Sequence, residues 1–122
     1  YIPHPSSRRD VPLRSRHEFT TVQESGRRVA ARYMTLLGRP NALDRDRLGV
    51  VASRKVGGAV VRNRAKRRLR EVFRRGLSAD GRISGDRALD VVAIAKRELV
   101  DAPFAAVEAD FQRALRALRR AR

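Results

Sequence analysis

The chain has 122 residues, with 29 Lys or Arg against 13 Asp or Glu, a formal net charge of +16, and no cysteine. That length bounds one domain with one modest core. The missing thiols exclude a disulfide scaffold, Cys-ligated zinc and a thiol nucleophile, and they fit a reducing cytoplasm. At 42% hydrophobic the chain has enough apolar residues to fold, and no stretch approaches the roughly 18 apolar residues of a membrane span.

Residues 1–13 read as a flexible basic arm. Its polar, proline-rich start, YIPHPSSRRDVP, is not expected to act as a signal peptide. Residues 14–122 form the single domain. Ser15 and Glu18 make a capping-box pattern, and Phe19 and Val22 share a face before Gly26, so a short helix is expected over 15–25. RRVAARYMTLL, 27–37, alternates partially and predicts one long strand or two short ones. The polar, turn-rich segment 38–46 is a loop. RLGVVAS, 47–53, is the next strand and pairs most simply with the preceding one as a hairpin.

Gly57 and Gly58 interrupt the chain before a helix of about 59–75. Val61, Ala65, Leu69, Val72 and Phe73 fall on one stripe of it, and Asn63, Arg67, Arg70 and Arg74 on the opposite side. Residues 76–86 read as a loop. ALDVVAIA, 88–95, is nearly continuous in apolar residues and reads as a strand covered on both faces. Asp101 and Pro103 open a last helix, with Phe104, Val107, Phe111, Leu115 and Leu118 as its buried stripe. This order predicts an α+β fold with a small mixed four-stranded sheet packed with three helices.

The charge is concentrated. From Arg54 to Arg75 there are ten cations and one acid, Glu71. Such density on a folded segment repels itself and calls for a polyanion, with phosphate backbone the best fit. A solvated helix face is disfavoured because so little acid is present to pair with it. With four Phe and two Tyr, stacking can supply only a few contacts. The bias to Arg over Lys is also what a GC-rich genome produces.

Catalytic chemistry is hard to find in the residues. His4 and His17 are too few and too isolated for a two-histidine nuclease. Asp86 and Asp90 offer two carboxylates but no third ligand, so no metal site in the protein is assigned. An autonomous nuclease is therefore disfavoured. A helix-turn-helix DNA binder is disfavoured because the cationic helix follows a strand and a Gly-Gly turn. A structural rRNA-binding protein of the ribosome stays open on size, charge and class.

Arg62-Asn63-Arg64, followed by Lys66-Arg67 on a helix just after Gly-Gly, resembles the RNR signature of the bacterial ribonuclease P protein family. SRKVGGAVVRNRAKRRLREVF (53–73) resembles the signature region throughout, LRSRHEF the family's first helix and DVVAIAK its penultimate strand. The resemblance covers about 13–118. It implies the αβββαβα order, akin to the second domain of a small-subunit ribosomal protein, with a left-handed βαβ crossover against the usual rule. It implies an accessory subunit of a tRNA 5′-processing endoribonuclease, in which the RNA subunit catalyses with Mg²⁺ that it mainly holds itself. The implied partners are that catalytic RNA, one to one, and precursor tRNA.

On this resemblance Arg54, Lys55, Arg62, Asn63, Arg64, Lys66, Arg67, Arg68 and Arg70 bind the catalytic RNA. Phe19, Thr35, Leu37, Ala93, Ala95 and Lys96 line a cleft for the 5′ leader, and no protein residue is catalytic. Phe19 reads equally as cover for the sheet and as a stacking residue, whereas Tyr33 reads better as packing. The chain also departs from the family pattern. Ala65 and Arg68 stand where larger apolar residues are usual, and Gln23 and Leu37 where aromatics are frequent.

Overall fold

The computed structural model describes residues 11–12, 16–41, 43, 45–76 and 88–120. In chain order the elements are β1 (Val11–Pro12), α1 (Arg16–Ser25), β2 (Arg27–Ala30), β3 (Met34–Pro40), β4 (Arg47–Val51), α2 (Ala59–Gly76), β5 (Leu89–Ala95) and α3 (Phe104–Arg120). A single 3₁₀ turn, Arg97–Leu99, precedes α3. The four expected strands are present, and β1, from within the expected arm, adds a two-residue fifth at the edge. Ser15, the Glu18 side chain, the 77–87 connection and the rest of the arm lie outside the described residues.

The sheet runs β1-β4-β5-β3-β2. β5 pairs in parallel with β4 and antiparallel with β3. The expected hairpin between the second and third segments therefore does not form, because β5 lies between them. The reason is burial: Val91, Val92 and Ala93 are all at most 1% exposed, and a strand apolar on both faces belongs at the centre of a sheet. The 27–37 segment is two strands, broken at Ala31–Tyr33, and the second continues through Gly38 to Pro40.

Alternation sorts the side chains into two layers. Met34, Leu36, Leu48, Val91, Ala93 and Ala95 join the main core, which α2 closes with Leu69, Val72 and Phe73 and α3 with Phe111, Leu115 and Leu118. Phe73 and Phe111 meet edge to face, 6.4 Å between centroids and 87° between planes, the arrangement that ring quadrupoles favour. On the other face α1 lays Val22 against Leu37 and Val92. Ala65 is fully buried beneath α2.

The β2–β3 turn is held by polar groups. The Asp110 carboxylate, 2% exposed, accepts the amide N–H of Tyr33 at 2.9 Å and of Arg32 at 3.3 Å. Arg113 donates to the same carboxylate at 2.9 Å. Asp46 likewise accepts the Leu89 amide N–H at 2.7 Å and pairs with Arg119 of α3 at 2.7 Å. A buried donor left without an acceptor costs its full desolvation energy. Asp110→Ala is therefore expected to destabilise the fold by about 2–4 kcal/mol, read as a lower urea midpoint at unchanged slope.

Candidate nucleic-acid interface

The turn that launches α2 needs glycine. Gly57 has φ +149°, and a Cβ there would lie 2.8 Å from the Val61 side chain, so an L side chain would be strained twice over. The turn closes with Val56 N–H donating to the Ser53 carbonyl and Gly57 N–H to the Arg54 carbonyl. Arg54 and Lys55 are thus lifted into solvent at the C-terminal end of β4, beside the first turn of α2.

Along α2, Asn63, Arg64, Arg67 and Arg70 are exposed, and Arg62 and Lys66 are half-buried at the flanks. The single acid on the helix, Glu71, is taken by Arg74 at 2.6 Å, and Arg75 turns to Glu108 at 3.4 Å. Arg54, Lys55, Arg62, Asn63, Arg64, Lys66, Arg67 and Arg70 have no side-chain hydrogen bond or ion pair among the described residues. Their donors all stand free on one continuous surface, which suits multidentate contact with phosphates.

Arg68 differs from its neighbours. Its Nη1 donates to the carbonyls of Leu99 and Val100 at 2.6 and 2.7 Å, and its Nη2 to that of Ala102 at 2.6 Å. The guanidinium also lies 5.9 Å from the Phe104 ring centroid. The donors assigned to RNA from the sequence are engaged with the protein's own backbone, and Arg68 clamps α2 to the start of α3. An apolar residue is usual at this position, but nothing in the helical pattern shows that Arg68 turns to carbonyls more than thirty residues on.

The expected leader cleft is only partly assembled as the sequence suggested. Thr35 and Leu37 face α1, but Ala93 and Ala95 point into the main core. Their neighbours Val92 and Ile94 take the α1 side, since Thr35 pairs with Ile94 and Leu37 with Val92. This one-residue error of parity has a physical cause: a strand apolar on both faces carries no alternation to read. The distal edge of the Phe19 ring lies over Gly49 of β4, where a Cβ would come within 2.5 Å of it.

α1 covers the row Gly49–Val92–Leu37 and leaves the next row, Val51–Ile94–Thr35–Ala30, beside it. Val51 and Ile94 are half-buried, Thr35 is buried and Ala30 is exposed. This apolar strip runs across four strands and ends near Arg54 and Lys55, so it adjoins the free cations of the β4–α2 turn. Lys96 lies at the same end of the sheet. Its ammonium donates to the Ala31 carbonyl, and its own amide N–H donates to Tyr33 O at 3.0 Å, so it fastens the β2–β3 turn.

Asp90 is committed to Arg47, which grips it with two bonds of 2.7 and 2.8 Å, and to Asn41 at 2.9 Å. Asp86 and His4 lie outside the described residues, and His17 is exposed. Among the described residues no cluster of three His, Asp or Glu could hold a metal ion.

A small α+β domain with an unpaired cationic helix face beside an apolar strip defines a protein built to hold polyanions. The family model described as Ribonuclease P matches residues 8–119, and the chain belongs to that family. It is 38% identical over 109 residues to the ribonuclease P protein component of Chloroflexus aggregans, covering 89% of this chain and 78% of that one. Among solved structures, the RNase P protein from Thermotoga maritima superposes with a TM-score of 0.71 at 32% identity, covering 91% of this chain and 97% of the other. The Staphylococcus aureus RNase P protein gives 0.72 at 27% identity, covering 87% and 93%. A structural ribosomal protein is not favoured by any of these likenesses.

Arg68→Met removes three charge-assisted bonds and is expected to cost about 2–3 kcal/mol in urea unfolding. Arg64→Met, on the free surface, should stay within about 0.5 kcal/mol of the parent.

Proposed function

We propose that this chain is the protein subunit of a tRNA 5′-processing ribonucleoprotein, and that it binds the catalytic RNA and the 5′ leader of precursor tRNA at two adjoining surfaces. The observation that carries the reading is the set of eight polar side chains on α2 and the β4–α2 turn with no partner among the described residues. Guanidiniums held this way neutralise several phosphates at once and release their counterions. Asn63 adds a neutral donor and acceptor that can fix register on a phosphate, a ribose or a base edge.

The leader lies along Val51, Ile94, Thr35 and Ala30, with the Phe19 edge on one side and Arg54 and Lys55 at the end. A half-apolar strip beside cations suits an unpaired strand, whose bases can be splayed while its phosphates are held. Hydrolysis belongs to the RNA, with Mg²⁺ held by RNA phosphates. The protein's role is to bind and orient. One protein per RNA, working in the cytoplasm, completes the reading.

Cleavage of precursor tRNA by the cognate RNA at low Mg²⁺, with and without the protein, tests it. The protein should raise the rate and the affinity for the leader-bearing substrate, and no change in either would overturn the reading. Within the same assay, Arg62→Ala, Arg64→Ala or Arg67→Ala should each flatten the salt dependence of RNA binding by about one unit. Phe19→Ala and Ile94→Ala should weaken binding of leader-bearing tRNA more than mature tRNA, measured by competition. Equal losses on both would remove the leader strip from the proposal.

A further inference from the structure

A second group of exposed arginines lies on the opposite flank of the domain. α2 packs over β4 and β5, and α3 packs over β2 and β3, so the outer sides of the two helices face apart. Three strand spacings, about 14 Å, separate β4 from β2. On α3 the exposed positions are Ala105, Ala109, Arg113, Arg116 and Arg120, which fall within one narrow stripe at 3.6 residues per turn.

β2 adds Arg27 and, just past its end, Arg32, both exposed, while Arg28, the register partner of Leu37, turns to the α1 face. The pieces are contiguous. Asp110 bonds both to Arg113 and to the Arg32 backbone. Farther along, Leu118 of α3 lies against Gly38, the register partner of Arg27. Arg27, Arg116 and Arg120 have no ion pair among the described residues.

We propose that this edge is a second phosphate-binding surface, which takes a separate backbone segment of the RNA held by α2. The proposal rests on the ribonucleoprotein reading above. Cations on an edge strand are accounted for by protection against edge-to-edge pairing, and Arg120 also suits the helix C-terminus. Arg113 is taken by Asp110, but neither reason covers Arg116, which lies back from the helix end on an element with no edge to guard. The stripe offers only two alanines, both ahead of its first arginine. A protein partner would call for an aromatic or apolar centre, and a membrane for an apolar anchor. Arg113 to Arg120 spans about 10 Å, enough to face several phosphates of a duplex.

Three proteins bound to the cognate catalytic RNA test the idea: the parent, the triple variant Arg27→Gln/Arg116→Gln/Arg120→Gln, and Arg64→Gln/Arg67→Gln/Arg70→Gln on α2. Across a salt series the first triple variant should lose about two to three units of slope. It should also lose hydroxyl-radical protection at nucleotides that the α2 variant still protects. The corresponding triple Lys variant should recover the slope. A parental slope and footprint for the Gln variant, alongside losses in the α2 variant, would overturn the second surface alone. Parental behaviour in both would overturn the reading beneath it.

A second measurement does not depend on the stability of the Gln variant. The chain has no cysteine, so Ala109→Cys can carry an iron chelate on the stripe, one turn before Arg113. RNA cleavage from that position, at sites distinct from those reached from α2, supports the proposal. Only background cleavage sinks it.

Discussion

Like charges on one helix repel, and every other feature of this domain is arranged around that cost. The cations of α2 cannot be neutralised along the helix, where Glu71 is the only acid and is already taken by Arg74. The helix is held down from below instead. Ala65, Leu69, Val72 and Phe73 are fully buried, and Arg68 ties its flank to three carbonyls at the start of α3. Apolar burial and one inward-turned guanidinium keep the cationic side rigid and free.

The arginines of this chain divide into two populations that composition cannot separate. Arg47 and Arg119 are spent on Asp90 and Asp46, and Arg68 on backbone carbonyls. Each such bond joins elements distant in sequence: strand to strand, helix to loop, helix to helix. Among the described residues, Arg74, Arg75 and Arg113 pair with Glu71, Glu108 and Asp110, whereas Arg54, Arg62, Arg64, Arg67, Arg70, Arg27, Arg116 and Arg120 have no carboxylate partner. The acids are few but well placed, since Asp46 and Asp110 each satisfy backbone amides as well as a guanidinium. The charge that holds the fold together is largely buried and paired, whereas Arg64, Arg67 and Arg70 are exposed and have no partner among the described residues.

Much of this was legible in the sequence. The stripe Val61, Ala65, Leu69, Val72 and Phe73 is a clean helical period, and it placed the free face of α2 correctly. Gly57 marked the turn that lifts Arg54 and Lys55. Two things were not legible. The parity of β5 could not be read because Val91, Val92 and Ala93 are buried on alternate sides alike, so Ala93 and Ala95 were assigned to the wrong layer. Nor could pattern alone distinguish Arg68 from Arg67 or Arg70. The distinction rests on carbonyls more than thirty residues away, which only the tertiary fold brings near.

The position of β5 has a consequence for how the molecule comes into being. The last strand in the chain is the central one, so β3 and β4 have no common neighbour until residues 89–95 emerge. During synthesis the strongly basic segment is made first, without the sheet that will support it. Long-range pairing of this kind is slow to nucleate, and an unsupported basic helix is a ready ligand for any nascent transcript nearby. Assembly with RNA can therefore begin while the ribosome is still adding the C-terminal third.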